Sequence, residues 1–233
     1  MMQWRALFWK AWMECRFRAL LTGVVLAIYL LLGRFPLAEC KGELTSWNWY
    51  CKFVTVFGAV VAIMFAGSGI NSQSSWGMLR GFHPSMYFLL SLPVSRLRAL
   101  LVRAITGMLL TFLYVPTSIV FYALFAHLSA RQAVSSIFFI TLGAFATFGI
   151  ATFLSTLFDE LVSSSLALGG VAGMFGGWAA LDWTKVKLDP MTIFSGQQLA
   201  QTGQVNWVAA ILCAATGVLF LLAALRVVER KEY

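Results

Sequence analysis

The amino-acid sequence predicts an all-α polytopic membrane protein with six transmembrane helices. Of the 233 residues, 60% are hydrophobic and only 11% are charged, and the mean hydropathy is +0.82. Soluble domains carry about 25% charged residues and need a polar exterior. The apolar residues also group into runs of about 20, the length that a bilayer core requires. We therefore expect a single transmembrane domain over residues 1–233, surrounded by membrane lipid, with no second globular domain.

The predicted spans differ in length and character. The first is short, whereas the third is long enough to tilt and contains Pro116, which predicts a kink. Outer loops are expected at 34–52 and 182–206, and a cytoplasmic loop at 71–96. The spans themselves are expected at residues 19–33, 53–70, 97–126, 134–158, 162–181 and 207–228.

The lysine and arginine residues predict the orientation. With the N-terminus inside, eleven of the 17 fall in inner segments, which leaves six outside, and cytoplasmic segments favour such cations. We expect a multi-pass protein of the plasma (inner) membrane with both termini cytoplasmic. The net charge is +8, but the cations lie in short clusters between apolar runs and form no continuous basic face. Nucleic-acid binding is therefore not expected.

Residues 1–18 have the composition of an interfacial helix. On a helical wheel, Arg5, Lys10 and Arg16 lie off a face that is largely apolar. A helix in the inner interface fits this pattern, and a basic, aromatic flank that merely orients the first span is the alternative. The mixed charges are not typical of a cleaved signal peptide, so we expect the segment to be retained. The members of the apolar face are Trp4, Leu7, Phe8, Ala11, Trp12 and Cys15.

Two cysteines, Cys40 and Cys51, share the first outer loop. Thiols so close in the sequence on an oxidising side of the membrane predict a disulfide, and two free thiols are the alternative. Two thiols with no nearby histidine or second pair make a poor tetrahedral ligand set, so no metal site is expected.

The fifth predicted span contains a repeated glycine spacing. Gly169, Gly173 and Gly177 are four residues apart, and such small residues allow helix backbones to approach closely in lipid. We expect them to serve helix packing. A flexible or pore-lining role is the alternative.

Residue types that carry catalysis are poorly placed. His83 and His127 are predicted on opposite sides of the membrane, and no histidine is placed to activate Ser68. Arg103 lies near the inner end of the third span, where it can snorkel toward the headgroups. No phosphate-binding loop of the G-x-x-x-x-G-K-[ST] type is present. We predict no catalytic residue, and nucleotide hydrolysis would require another chain.

The cytoplasmic loop contains a short apolar helix candidate. Pro84 suits the first turn of such a helix, the segment is broken again near Pro93, and Ser95 is placed to cap the third span. A helix of this kind either docks into a partner or lies on the membrane without further function. Its members after the proline include Met86, Tyr87, Phe88, Leu89 and Leu90.

The run FLLSLPVSRLRALLVRAITG, which begins at Phe88, resembles ABC type-2 transporter permeases, in which an L-x-LP-x-SR stretch follows the second span. The N-terminal FWKAWMECRFRALL is similar to the opening segment of that family, and the Asp189–Pro190 pair matches a recurrent feature. The family often has an acidic residue before this loop, whereas GSGINSQSSWGMLRG has none. SLPVSR is the most specific element of the resemblance.

The resemblance implies the permease subunit of an ATP-driven exporter. Its coupling helix would comprise Pro84, Met86, Tyr87, Phe88, Leu89 and Leu90, followed by Pro93, Ser95 and Arg96 at the junction with the third span. A separate ABC ATP-binding subunit would receive this helix and hold ATP and Mg, with no cofactor in this chain. A second permease chain, as a homodimer, would complete the path. The alternative is a non-transport polytopic membrane protein such as an assembly factor or scaffold.

Overall fold

The computed structural model describes residues 2–37, 43–66, 95–125, 129–158, 162, 165–173 and 205–230. Over these residues the backbone is almost entirely helical and contains no strand, which confirms the all-α prediction there. The long helices are α1 (Met2–Leu37), α2 (Glu43–Ala66), α3 (Arg96–Phe125), α4 (Ala130–Leu157) and α5 (Trp207–Arg230), and residues 165–173 are helical as well.

Three of the described helices are long and apolar enough to cross a membrane. The stretches are Leu97–Phe121 in α3, Ala130–Leu157 in α4 and Trp207–Arg230 in α5. They coincide with the third, fourth and sixth predicted spans. A shorter apolar stretch, Val54–Ala66, lies in α2. Membrane crossing by the other three predicted spans stays a prediction.

Helix α1 differs from the prediction, because the expected interfacial helix and the first span form one uninterrupted helix of 36 residues, about 54 Å long. Neither glycine nor proline interrupts its first twenty residues, so nothing in the backbone ends the helix near residue 18. The change in hydropathy at that point marks a change of surroundings and not a helix end.

The predicted apolar face of the N-terminal segment is divided in the structure. Leu7, Ala11 and Cys15 form a buried stripe that Ala19 continues, with the four-residue spacing of one helix face. The large aromatic side chains lie beside this stripe and point outward. The exposed ones are Trp4, Phe8, Trp9, Trp12 and Phe17.

Hydrogen bonds mark the starts of the last three long helices, and α4 and α5 also have side-chain caps. The carbonyl of Ser95 accepts hydrogen bonds from the backbone N–H groups of Arg98 and Ala99, at 3.0 and 3.2 Å. Ser129 and Gln132 form a reciprocal capping box, so α4 begins before the predicted span. The Asn206 side chain accepts from the N–H of Ala209 at 3.1 Å and caps α5.

Helices α1 and α3 run in the same direction, and α2 runs against both. Arg103 pairs with Glu14, and further along both helices Tyr114 bonds to Ala19. Gly107 lies against Phe65, whereas Gly58, earlier in α2, faces the later part of α3. The three helices therefore alternate in direction, as three successive crossings would.

Helices α4 and α5 run parallel to each other. Gly149 lies against Gly217, and four residues later in α4 the ring of Phe153 lies 5.4 Å from that of Phe220. Helix α4 is antiparallel to α3, since Gly107 packs on Phe148 and the rings of Phe112 and Phe145 are neighbours.

Buried hydroxyl groups in these helices form hydrogen bonds within their own helix. The buried hydroxyls of Thr106, Thr111 and Thr152 each donate to the carbonyl four residues earlier in their own helix, at 2.8, 2.9 and 2.8 Å. Because these polar groups are satisfied within one helix, they can be buried without a partner from another helix. The apolar part of the core between α2, α3 and α4 includes Val54, Val61, Phe65, Val115, Ile119, Ile140 and Phe148.

Candidate functional site

The most polar part of the described interior lies where α1, α2 and α3 meet. We call the set Lys10, Glu14, Arg18 and Arg103 the polar junction. Arg103 Nη2 lies 2.5 Å from Glu14 Oε2, and the two side chains are only 8% and 18% exposed. Two charges so far from water stabilise each other, because a buried charge is costly unless it is paired.

Glu14 has further capacity as an acceptor. Its second carboxylate oxygen, Oε1, is buried and has no hydrogen-bond partner among the described residues. Lys10 lies one helical turn before Glu14 on α1. Burial lowers the pKa of Lys10, the Glu14 carboxylate partly opposes that shift, and the Arg103 charge adds to it. The lysine ammonium is therefore easier to neutralise than it is in water.

Arg18 links α1 to the end of α2. Its Nη1 donates to the carbonyl of Met64 at 2.9 Å, and that carbonyl belongs to the last described turn of α2. The last turn of α2 contains no basic residue of its own. Arg18 therefore supplies from another helix the cation that favours a helix C-terminus.

A neutral contact holds α1 and α3 together further along. The hydroxyl of Tyr114 donates to the carbonyl of Ala19 at 2.6 Å, and the Tyr114 ring stacks on Phe65 with 6.0 Å between the ring centroids. A Cβ on Gly23 would lie 3.5 Å from the same hydroxyl oxygen. The contacts that α1 makes with α3 thus change from ionic to neutral along its length.

An apolar groove of about 130 Å³ opens between α3, α4 and α5. The hydroxyl of Thr152 donates to the carbonyl of Phe148, so this polar group of the wall is already satisfied. The groove offers apolar contact to whatever occupies it. Its walls are formed by Leu100, Leu101, Ala104, Ile105, Met108, Phe148, Thr152, Leu221, Ala224 and Leu225.

The predicted coupling helix, with Pro84, Met86, Tyr87, Phe88, Leu89 and Leu90, lies outside the described residues, as does Pro93. Ser95 is described, and Arg96 is the first residue of α3. The helix start predicted at Ser95 therefore agrees with the structure.

The glycine spacing predicted for packing has no contact in the described part of the chain. No described atom lies within 4 Å of the place that a Cβ on Gly169 or Gly173 would take, and Gly177 lies outside the described residues. The same segment packs on the core through Ala167 and Val171 instead. Close backbone approach occurs elsewhere, between Gly149 and Gly217.

The structure describes only part of the cysteine pair that was predicted to form a disulfide. Cys40 lies outside the described residues, and only the backbone of Cys51 is described, so the disulfide stays a prediction. The cysteines whose side chains the structure describes are Cys15, which is buried, and Cys213, and both are free thiols. No group of three or more His, Cys, Asp or Glu side chains comes together within the described ranges.

The polar junction is the feature that the sequence did not predict. Arg103 was expected to snorkel toward headgroups, but it is only 7% exposed and points into the bundle. Its partner lies 89 residues earlier in the chain, at a distance where no local pattern links the two. A single acidic residue on the apolar side of a helix was the available signal at Glu14, since an unpaired carboxylate is rarely buried.

Comparisons with known proteins give no match to this chain. No family model matches the chain, and no match emerges among the curated proteins or the solved structures.

Proposed function

We propose that this chain is the membrane-spanning permease subunit of an ATP-driven ABC exporter, coupled to a separate ATP-binding subunit. The run SLPVSR, from Ser91 to Arg96, carries the proposal, because it resembles the permease loop that follows the second span. The start of α3 directly after Ser95 supports it, since this loop leads into the third span in such a permease.

The directions of the helices support six crossings. If α4 and α5 both cross the bilayer, their parallel arrangement requires the chain between Phe158 and Trp207 to cross an odd number of times. The predicted span 162–181 supplies one such crossing. Together with the alternation of α1, α2 and α3, this gives the order of a six-helix permease with both termini on one side.

Helix α3 is well placed to distribute an imported movement. It packs against each of the other four long helices, and it begins at Arg96, six residues after the end of the proposed coupling helix at Leu90. Because packed helices transmit displacement as rigid elements, a push on the start of α3 would reach α1, α2, α4 and α5 directly.

The proposed complex contains two permease chains and two ATP-binding subunits. ATP and Mg would be held by the ATP-binding subunits, because this chain has no phosphate-binding loop. The permease chains would form the translocation path between them. Exposed glycines at Gly169 and Gly173 are available for contact with a second copy, although they also fit a lipid-facing surface.

The test is a double substitution in the proposed coupling helix. Tyr87→Ala with Phe88→Ala removes the two large side chains best suited to anchor an interface. We expect normal insertion, and loss of about tenfold or more in affinity for the ATP-binding subunit, since hot-spot truncations cost about 2 kcal/mol or more. Copurification and ATP turnover of the lipid-reconstituted complex are the measurements.

The matched control is Phe121→Ala with Phe138→Ala. These rings are each 45% exposed on α3 and α4, so the control removes two aromatic side chains away from the loop. We expect it to leave copurification unchanged. If both double variants bind the ATP-binding subunit like the wild type, the coupling role of Pro84–Leu90 is wrong. If the wild type itself binds no ATP-binding subunit, a scaffold or assembly role replaces transport.

A further inference from the structure

The ion pair between Glu14 and Arg103 is confined to one end of the contact between α1 and α3. Arg103 lies seven residues after Arg96, about 10 Å from the start of α3. Further along the two helices, the structure describes a neutral hydrogen bond from Tyr114 to Ala19. The charged contact is therefore the one nearest to the loop that precedes α3.

Beside the ion pair, the N-terminal part of α1 presents a narrow stripe of buried side chains. Its buried stripe here consists of Leu7, Ala11 and Cys15, of which two are small. The exposed side of the same stretch carries large aromatic side chains, including Trp9, which is 65% exposed. Apolar contact is a weak guide in lipid, because lipid tails are as apolar as the helix surface. The ion pair between Glu14 and Arg103 supplies a directional attraction between α1 and α3 that apolar contact does not.

We propose that Glu14 and Arg103 form a latch that holds the N-terminal half of α1 on α3, so that the two helices move as one body. The joint movement of the two helices, driven from the loop before α3, rests on the proposed function. The holding of α1 on α3 by the ion pair does not. Arg18 extends the latch to α2 through its hydrogen bond to Met64. The charges of Glu14 and Arg103 both affect the pKa of Lys10.

Cys15 is a natural reporter for this latch. It follows Glu14 directly and is only 4% exposed. Burial raises the pKa of the Cys15 thiol, with smaller opposing effects from Arg18 and Arg103 and an added effect from Glu14. Because alkylation requires the thiolate and access to it, Cys15 reacts slowly while α1 lies on α3.

The experiment measures N-ethylmaleimide labelling of Cys15 in the purified full chain in lipid nanodiscs, resolved by peptide mass spectrometry. Glu14→Gln and Arg103→Gln each remove one partner of the ion pair, and we expect labelling to accelerate by about tenfold or more. The exchange variant, Glu14→Arg with Arg103→Glu, restores opposite charges and is expected to slow labelling again. Arg226→Gln, an exposed arginine of α5, is the matched control and is expected to label like the wild type.

Two further measurements keep the test decisive if a neutralised variant inserts poorly. Glu14→Asp retains the charge but shortens the side chain, and intermediate labelling is expected. Cys213 on α5 serves as an internal standard, and its rate should be the same in every folded variant. Labelling of Cys15 within twofold of the wild type in Glu14→Gln, Arg103→Gln and Glu14→Asp overturns the latch.

The movement is tested in the complex with the ATP-binding subunit, trapped with ATP and vanadate. If the latch holds, trapping leaves Cys15 protected in the wild type and exposes it further in Glu14→Gln, because α3 then moves without α1. Loss of protection in the trapped wild type overturns the joint movement. If no complex forms with the wild-type chain, the proposed function fails, and the labelling of the isolated chain still decides the latch.

Discussion

Gly149 and Gly217 bring the backbones of α4 and α5 into contact. A Cβ on Gly149 would lie 2.5 Å from the carbonyl oxygen of Gly217 and 2.9 Å from its Cα. Both obstacles are backbone atoms, which cannot rotate away as a side chain does. In lipid, where van der Waals packing drives helix association, this pair depends on the absence of one methyl group.

Gly149→Ala is therefore expected to destabilise the chain by about 1–3 kcal/mol, the usual cost of overpacking. The thermal unfolding midpoint of the purified protein in detergent should fall. Gly173→Ala is the matched control, because no described atom lies within 4 Å of the added carbon there. Equal midpoints for the two variants would contradict the contact between α4 and α5 at Gly149.

The two glycine sets also show what a sequence reveals about single residues. Gly169 and Gly173 share one helix, so their spacing is visible in the sequence, but a helix face says nothing about what covers it. Gly149 and Gly217 lie in different helices, and only the three-dimensional arrangement pairs them. The same limit applies to Arg103 and Glu14, whose separate positions are evident but whose contact is not.

At the scale of elements, the capping box of α4 gives a direct test. The Ser129 side chain accepts from the Gln132 N–H at 3.3 Å, and the Gln132 side chain accepts from the Ser129 N–H at 3.2 Å. Ser129→Ala removes the acceptor and is expected to cost about 1 kcal/mol. Ser129→Asp retains an acceptor and should unfold like the wild type in the same detergent melt. A melt of Ser129→Asp that matches Ser129→Ala would show that the box does not stabilise α4.

Helix starts were predictable where a capping residue and a hydropathy change coincide. Ser95 before α3 is such a case, and the predicted sixth span begins where α5 begins, after the Asn206 cap. Helix α4 begins four residues before its predicted span at 134, because hydropathy detects lipid-facing residues whereas the cap determines the backbone. The S-x-x-Q pattern from Ser129 to Gln132 was the available signal.

Helix α1 shows the opposite relation between hydropathy and backbone. Its composition changes near residue 18, but polar and apolar residues both support a helix, and the break must come from glycine, proline or a cap. The sequence therefore predicted a helical N-terminal segment and a following span. It did not predict that they form one rod of 36 residues.

At the scale of the whole molecule, the arrangement of helices carries more information than their number. Among the described helices, α3 contacts α1, α2, α4 and α5, so its position is central. The polar junction lies on one side of α3 and the apolar groove on another. A displacement of α3 would change both, which makes α3 the element to follow in studies of the proposed transport cycle.

The directions of α4 and α5 support the predicted topology independently of hydropathy. Reporter fusions at Ser129 and Lys187 are expected outside, and fusions at Ser95 and Tyr233 inside. Ser129 and Lys187 are expected to agree because parallel spans α4 and α5 would start on the same side, and Tyr233 lies three residues beyond the C-terminal end of α5. Alkaline phosphatase and green fluorescent protein fusions report opposite sides, so each site is measured twice. Ser129 and Lys187 on opposite sides would mean that the chain between Phe158 and Lys187 does not cross the membrane, and the six-helix order would be wrong even if every described helix spans the bilayer.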